Sequence, residues 1–205
     1  MERRDHWEKI YNGKETADLG WYRAHLETSY RWITELVLPA SAIIDVGAGV
    51  STLVDELMGA GYKDLTMLDL SATALEIDRA RLGEKADQIS WIRGDITQLT
   101  LPENRFVMWH DRAVFHFLTD SAGRSNYLKT MSRAIKPAGF ALIATFSPEA
   151  PGRCSGLSVQ CYSAEQLNRE LGPSFTLSKE RRELHTTPGG VEQMYNYCLF
   201  QKKET

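Results

Sequence analysis

Short apolar runs alternate with amphipathic stretches along most of this chain. Ile43 to Val46, Leu65 to Leu68, Ile89 to Ile92 and Arg105 to Trp109 read as strands, and Phe140 to Phe146 as a continuously buried one. Between them, apolar residues recur at helical spacing. Leu26, Tyr30, Ile33 and Val37 form one stripe, ended by Pro39, and Leu53, Val54, Leu57 and Met58 form another, closed by Gly59 and Gly61. Ser71 is placed to cap a helix carrying Leu75 and Leu82 and ending at Gly83. A short helical piece over Val114 to Leu118 precedes a longer helix from about Ser121 to Ile135, which Lys136-Pro137-Ala138-Gly139 stops. Ser163 caps a last helix through Leu171. Two strands, about Phe175 to His185 and Val191 to Phe200, then form a hairpin around Thr187-Pro188-Gly189-Gly190. Strand–helix alternation up to residue 146 predicts an α/β fold with a parallel sheet, closed by that hairpin.

The first strand carries the most specific signal. Ile43-Ile44-Asp45-Val46-Gly47-Ala48-Gly49-Val50-Ser51 reads as a buried strand turning tightly into a helix, with backbone N–H groups exposed at the turn. Glycines suit a place where a Cβ would block a ligand approaching the backbone. Asp69 follows the second strand, 24 residues after Asp45, and Asp95 follows the third, 26 residues after Asp69. Strand carboxyl ends border the ligand crevice of an open α/β sheet, and an acid after the second strand suits a ribose diol. Each Asp alone also suits a helix cap or a turn.

Composition narrows the class. The 205 residues form one domain in this reading: residues 1–38 an aromatic lid segment, 39–146 a ligand-binding core, and 147–205 an acceptor-side loop, helix and hairpin. Apolar content of 42% and charged content of 25% are those of a globular protein. A net charge of −3 argues against nucleic acid as partner. No apolar run approaches the ~20 residues of a membrane span, so no membrane partner is expected. Met1 to His6 lack the apolar core of a signal peptide. Cys154, Cys161 and Cys198 are odd in number and in no framework, which predicts free thiols and a cytoplasmic setting.

These motifs resemble those of the class I, seven-stranded S-adenosylmethionine-dependent methyltransferases, from about Ile43 to the C-terminus. The residues that carry the likeness are Asp45-Val46-Gly47-Ala48-Gly49, Leu68-Asp69-Leu70-Ser71, Gly94-Asp95-Ile96 and Lys136-Pro137-Ala138-Gly139-Phe140. A narrower likeness, to a bacterial subfamily, lies in Trp109-His110-Asp111-Arg112-Ala113-Val114-Phe115-His116-Phe117-Leu118-Thr119. The resemblance implies a Rossmann-like doubly wound sheet with helices on both faces, in the order 3-2-1-4-5-7-6 with strand 7 antiparallel. It implies S-adenosylmethionine as cofactor and S-adenosylhomocysteine as product. The glycine turn, Gly47 and Gly49, would meet the methionine part, Asp69 the ribose, and Asp95 with Ile96 the adenine. Asp45, Ser51, Leu70, His110 and Trp21 complete the expected cofactor set. Ser51 stands where many members have a third small residue, and it would cap the following helix.

Methyl transfer from a sulfonium needs alignment of the acceptor and, for a protonated acceptor, a base. After the fourth strand, amino methyltransferases of nucleic-acid bases carry Asn/Asp-Pro-Pro-Tyr/Phe, and this chain reads Trp109-His110-Asp111-Arg112, which demotes that acceptor class. His110, Asp111 and Arg112 are the candidate catalytic residues. His110 is either a base or a hydrogen-bonded loop histidine, and Arg112 either binds an anionic acceptor or pairs with Asp111. His116, on an apolar segment, reads as structural. Trp7, Tyr11, Trp21 and Tyr22 form a lid, with cation–π contact to a sulfonium, or pack ordinarily. Cys154 and Cys161 are spare loop thiols or ligands for a soft metalloid, and no metal site is expected. The expected partner is a small-molecule acceptor. Protein-lysine methylation, a non-catalytic cofactor-binding protein and a nucleotide-dependent reductase are the rivals.

Overall fold

The computed structural model describes residues 3–204; Met1, Glu2 and Thr205, the outermost residues of the expected domain, lie outside the described residues. The chain opens with α1 (Arg3–Gly13) and α2 (Glu27–Leu36). It then alternates β1 (Ile43–Val46), α3 (Leu53–Gly59), β2 (Leu65–Asp69), α4 (Ala72–Leu82), β3 (Ile89–Arg93), β4 (Phe106–Arg112), α5 (Ser121–Ala134) and β5 (Ile135–Phe146). A two-residue ladder, Arg153–Cys154 with Leu157–Ser158, precedes α6 (Ala164–Leu171), β6 (Phe175–Thr186) and β7 (Glu192–Lys202). The seven long strands form one sheet in the order β3-β2-β1-β4-β5-β7-β6, with β7 antiparallel to both neighbours. Order and direction agree with the sequence expectation.

Alternation along each strand divides the core between the two faces. Ile43, Met67, Met108, Leu142 and Tyr197 pack with Trp32 and Ile33 of α2 and Leu53, Val54 and Leu57 of α3. Ile44, Val46, Leu68, Trp109, Ile143 and Phe200 pack on the other face with Tyr127 and Met131 of α5 and Leu167 and Leu171 of α6. All four residues of β1 and all five of β2 are buried, as strands flanked on both edges and covered on both faces must be. The edge strand β6 instead carries Lys179, Glu180, Arg181 and Arg182, charges that discourage pairing with another sheet.

The caps follow the chemistry of their residues. Ser71 accepts from the Ala74 N–H, and Gly83 closes α4 at φ 57°. Ser163 and Gln166 form a capping box on α6. Ser51 accepts from the N–H of Leu53, the first residue of α3, at 3.2 Å.

Two boundaries differ from the sequence reading. β4 runs on through His110, Asp111 and Arg112, because β1 and β5 pair with it on both sides as far as Asp111 and Arg112. These three residues are therefore strand residues, not a loop. β5 begins at Ile135, through the stretch read as a stop signal, with Ala138 at φ 61° and a register shift opposite Phe106 and Met108. Strand pairing overrides local turn preference there.

Asp111 points into the α5 face. It accepts from the Tyr127 hydroxyl at 2.5 Å and from the N–H groups of Val114 (2.9 Å) and Phe115, while Tyr127 accepts from Trp109 Nε1 at 2.8 Å. Burial pushes the Asp111 carboxyl up to about 6 against these donors. Tyr127→Phe strips a partner from both Trp109 and Asp111, so a loss of about 1–3 kcal/mol is expected from the urea-unfolding midpoint; an unchanged midpoint would contradict this network.

Candidate active site

At the carboxyl ends of β1, β2 and β4 the chain encloses a cavity of about 800 Å³, counting its mouth. Gly47, Asp69, Leu70, Asp95 and Ile96 line it, joined by Val46, Leu68 and Gly94. Trp7, Tyr11 and Trp21 close it from the N-terminal side. Arg112, Val114, Phe117 and Cys154 complete the lining, with Phe117 against Trp7 and Arg112 bonded to Trp21 O. A smaller cavity lies against the same bend, lined by Asp45, Gly47, Ala48, Ser51, Tyr22, Arg23 and His110, and it shares Trp21 and Arg112 with the first.

The bend itself differs from expectation in one respect. Its N–H groups are not exposed. Those of Gly47 and Ala48 both donate to Leu68 O, at 2.7 and 3.0 Å, and that of Gly49 donates to Asp69 Oδ2 at 2.8 Å. What the bend provides is close approach: Gly47 sits at φ +66° with Val114 packed where a Cβ would stand, 1.9 Å from Cγ2. Gly49, at φ +60°, is similarly covered by the Tyr11 hydroxyl. A loop with its N–H groups spent internally makes no nest for a pyrophosphate, which disfavours the dinucleotide reading.

Asp69 is 5% exposed and also accepts from the Ser71 N–H at 2.8 Å. Burial pushes its carboxyl up to about 6; the Ser71 and Gly49 amides oppose this and Asp45 adds to it. Asp95 accepts from Thr97 N (2.9 Å) and Oγ1 (2.7 Å) through Oδ1, leaving Oδ2 only a 3.4 Å contact with Gln98. Asp45 is buried behind the bend. Its Oδ1 receives His110 Nδ1–H at 2.7 Å, and its Oδ2 has no partner.

The side chains of the candidate catalytic string point to different places. His110 is buried, with Nδ1 on Asp45 and Nε2 on Ser29 Oγ at 2.9 Å, so both ring nitrogens are engaged within the protein. Asp111 faces α5. Arg112 alone lines the main cavity, and it does not pair with Asp111. Its Nε donates to the Tyr197 hydroxyl and Nη1 to Trp21 O, both at 2.9 Å, and its guanidinium lies 4.5 Å from the Tyr195 ring centre. His116 is structural as expected: Nδ1 accepts the Phe146 N–H at 3.3 Å, and burial with Arg112 nearby lowers its pKa to about 3.

The thiols of Cys154 and Cys161 are free, and burial raises the pKa of both, which keeps them protonated and poor ligands for a soft species. Among the described residues no cluster of three His, Cys, Asp or Glu side chains suits a metal ion.

The N-terminal aromatic segment borders the cavity through Trp7, Tyr11 and Trp21, and α1 is anchored by a residue the sequence gives no reason to single out. Glu8 of α1 caps the N-terminus of α4 from outside. Its carboxylate accepts from Ala72 N (2.8 Å), Ser71 Oγ (2.9 Å) and Thr73 N (3.2 Å). Burial raises its pKa, but bonds from Thr73, Ala72 and Ser71 outweigh that and leave it at about 2. The helix dipole adds to the attraction. Behind the latch, Trp7 meets Trp21 and Phe117 edge-on, at 5.5 and 5.1 Å.

Comparison with known proteins agrees with this geometry. Residues 43–139 match a family model described as a methyltransferase domain. The mouse eEF1A lysine and N-terminal methyltransferase is 27% identical over 117 residues, 57% of this chain and 17% of that protein. The chain therefore spans less than a fifth of that relative. Human EEF1A lysine methyltransferase 2 is 24% identical over 192 residues, covering 86% of this chain and 75% of the relative. Among solved structures, the Burkholderia thailandensis 1,6-didemethyltoxoflavin-N1-methyltransferase, with bound S-adenosylhomocysteine, superposes with TM-score 0.75 at 20% identity, over 98% of this chain and 87% of that one. A protein from work on conversion of a disulfide bond into a thioacetal group in echinomycin biosynthesis gives 0.79 at 19%, over 98% and 93%.

Glu8→Gln keeps one acceptor oxygen and sets an NH2 against either the Ala72 N–H or the Thr73 N–H and Ser71 hydroxyl. Hydrogen exchange of α1 is expected to quicken about tenfold while β1 and β4 stay protected; unchanged protection of α1 would remove Glu8 as the lid's anchor.

Proposed function

We propose that this chain is an S-adenosylmethionine-dependent methyltransferase that methylates a small-molecule acceptor and releases S-adenosylhomocysteine. The observation that carries this reading is the gathering of Gly47, Asp69, Leu70, Asp95 and Ile96 around one lidded cavity. When bound, the cofactor supplies a methyl group already activated on a sulfonium.

The residues present fit that cofactor. Asp69 holds the ribose hydroxyls, and Leu70, Asp95 and Ile96 border the adenine. Asp45 Oδ2, buried and unpartnered, suits the ammonium of the methionine end, where an unpaired carboxylate oxygen is otherwise costly. His110 is a positioning residue that orients Asp45, as Gly49 positions Asp69. Gly47 permits close approach, and Trp7 and Trp21 exclude water and favour a cation. Ser51 serves the start of α3 beside the smaller cavity.

Enclosure supports a small acceptor, because a cavity roofed by α1 and the Trp21 segment offers little room for a folded protein surface. The eEF1A-directed relatives favour a second reading, transfer to a protein lysine. The guanidinium of Arg112 in the cavity wall weighs against it, since a lysine side chain brings like charge. Incubating the enzyme with methyl-labelled cofactor and cell extract separates the two: label in the low-mass fraction is expected, and label confined to protein would overturn the small-molecule reading.

Ribose binding by Asp69 requires its ionised form. With a carboxyl at about 6 in the free protein, S-adenosylhomocysteine affinity is expected to rise with pH. By calorimetry, binding is expected to be about tenfold weaker at pH 5 than at pH 8. Asp69→Asn is expected to bind weakly and without that pH dependence. Equal affinity for both proteins at both pH values would refute the assignment of Asp69.

A further inference from the structure

The cavity is electrically lopsided. Asp69 and Asp95 line it beside Leu70, Gly94 and Ile96, and Arg112 lines it together with Val114, Phe117 and Cys154. The groups that touch Arg112 are neutral, namely the Tyr197 hydroxyl, the Trp21 carbonyl and the Tyr195 ring, while the Glu183 carboxylate acts on it from beyond ion-pair distance. Its Nη2 has no hydrogen-bond partner. Glu183, the carboxylate across the sheet from Tyr195, is taken by Arg23 and by Thr28 at 2.5 Å. Among the described residues no carboxylate forms an ion pair with Arg112. Burial works against its charge, which Tyr197, Tyr195 and Glu183 together sustain, so an anion in the cavity would give it the direct charged contact it lacks.

The wall around Arg112 lacks a base. His110 is engaged at both nitrogens, and the Cys154 thiol is held protonated by burial. Asp69 and Asp95 are spent on the nucleoside side. An acceptor that had to lose a proton here would have nowhere on this wall to send it.

Resting on the methyltransferase reading, we propose that the acceptor is an organic anion with an apolar body, held on Arg112. Such an acceptor enters already ionised and has no proton to surrender. Its lone pair forms the bond to the methyl carbon as the carbon–sulfur bond breaks, with both electrons left on sulfur. Val114 and Phe117 take the apolar body, and the guanidinium takes the charge. The smaller cavity, with Asp45, Ser51 and Arg23 and with Arg112 on the side it shares with the first, takes the amino-acid end of the cofactor.

The test uses the wild-type protein saturated with S-adenosylhomocysteine and titrated with benzoate, phenylacetate and indole-3-acetate, each beside its neutral amide, and with benzylamine. Saturable binding of at least one carboxylate is expected, at least tenfold tighter than its amide, with none of benzylamine. Arg112→Met is expected to abolish that preference, so that each carboxylate binds no more tightly than its amide, in a protein that still takes up S-adenosylhomocysteine. Arg112→Lys, which keeps the charge, retains part of it and serves if the Met variant does not fold. Binding of no carboxylate, or tighter binding of benzylamine, would overturn the proposal. So would an Arg112→Met variant that loses S-adenosylhomocysteine but keeps 5′-methylthioadenosine, because Arg112 would then hold the cofactor's own carboxylate. Failure of the wild type to bind S-adenosylhomocysteine would instead sink the methyltransferase reading, so the two failures are distinct.

Discussion

One carboxylate ties the glycine bend to the second strand, and the site is built outward from it. Asp69 receives the N–H of Gly49 on one oxygen and that of Ser71 on the other. The first bond fixes the β1–α3 turn against the end of β2, and the second starts α4. Leu68 O completes the tie by taking two further N–H groups from the bend. With its donors spent, the loop presents shape instead of positive charge. That distinguishes a pocket for a cationic cofactor from one for a pyrophosphate, whose binding relies on free backbone N–H groups.

From this tie the remaining parts take their positions. The N-terminus of α4 would be left with orphan donors; Glu8 of α1 supplies acceptors, so the same contact caps α4 and docks α1. The Trp21 segment is held from the other side by Arg112 and by His185, whose Nε2–H donates to Gly20 O at 2.7 Å. The roof is thus pinned at both ends by side chains from the parallel half and the hairpin half of the sheet. Alternation along β4 does the sorting beneath it: His110 and Arg112 point to the face under the lid, while Asp111 between them is consumed by Tyr127 on the other.

Much of this was legible in residues. Periodicity and turn chemistry located the seven strands, and the Gly47 bend with Asp69 and Asp95 marked the cavity because strand-end acids sit at the crevice in any parallel sheet. The end of β4 was not legible. His110-Asp111-Arg112 is too polar to read as strand, and only pairing with β1 and β5 makes it one. Read as loop, His110 stays open between a base and a hydrogen-bonded histidine; as a strand residue it is held by Asp45 and Ser29. Glu8 was invisible for a different reason: its partners are 63 to 65 residues away, and no local pattern encodes a cap delivered from another helix. Arg112 carried two alternatives, and choosing between them required knowing that adjacent strand residues face opposite ways.

The most direct measurement is a crystal structure of the protein with S-adenosylhomocysteine. The account predicts the nucleoside between Leu70 and Ile96 with both ribose hydroxyls on Asp69, the amino-acid end beside Asp45, and the sulfur directed toward the wall that carries Arg112. A product molecule seated elsewhere, or turned so that Asp69 meets no hydroxyl, would contradict it.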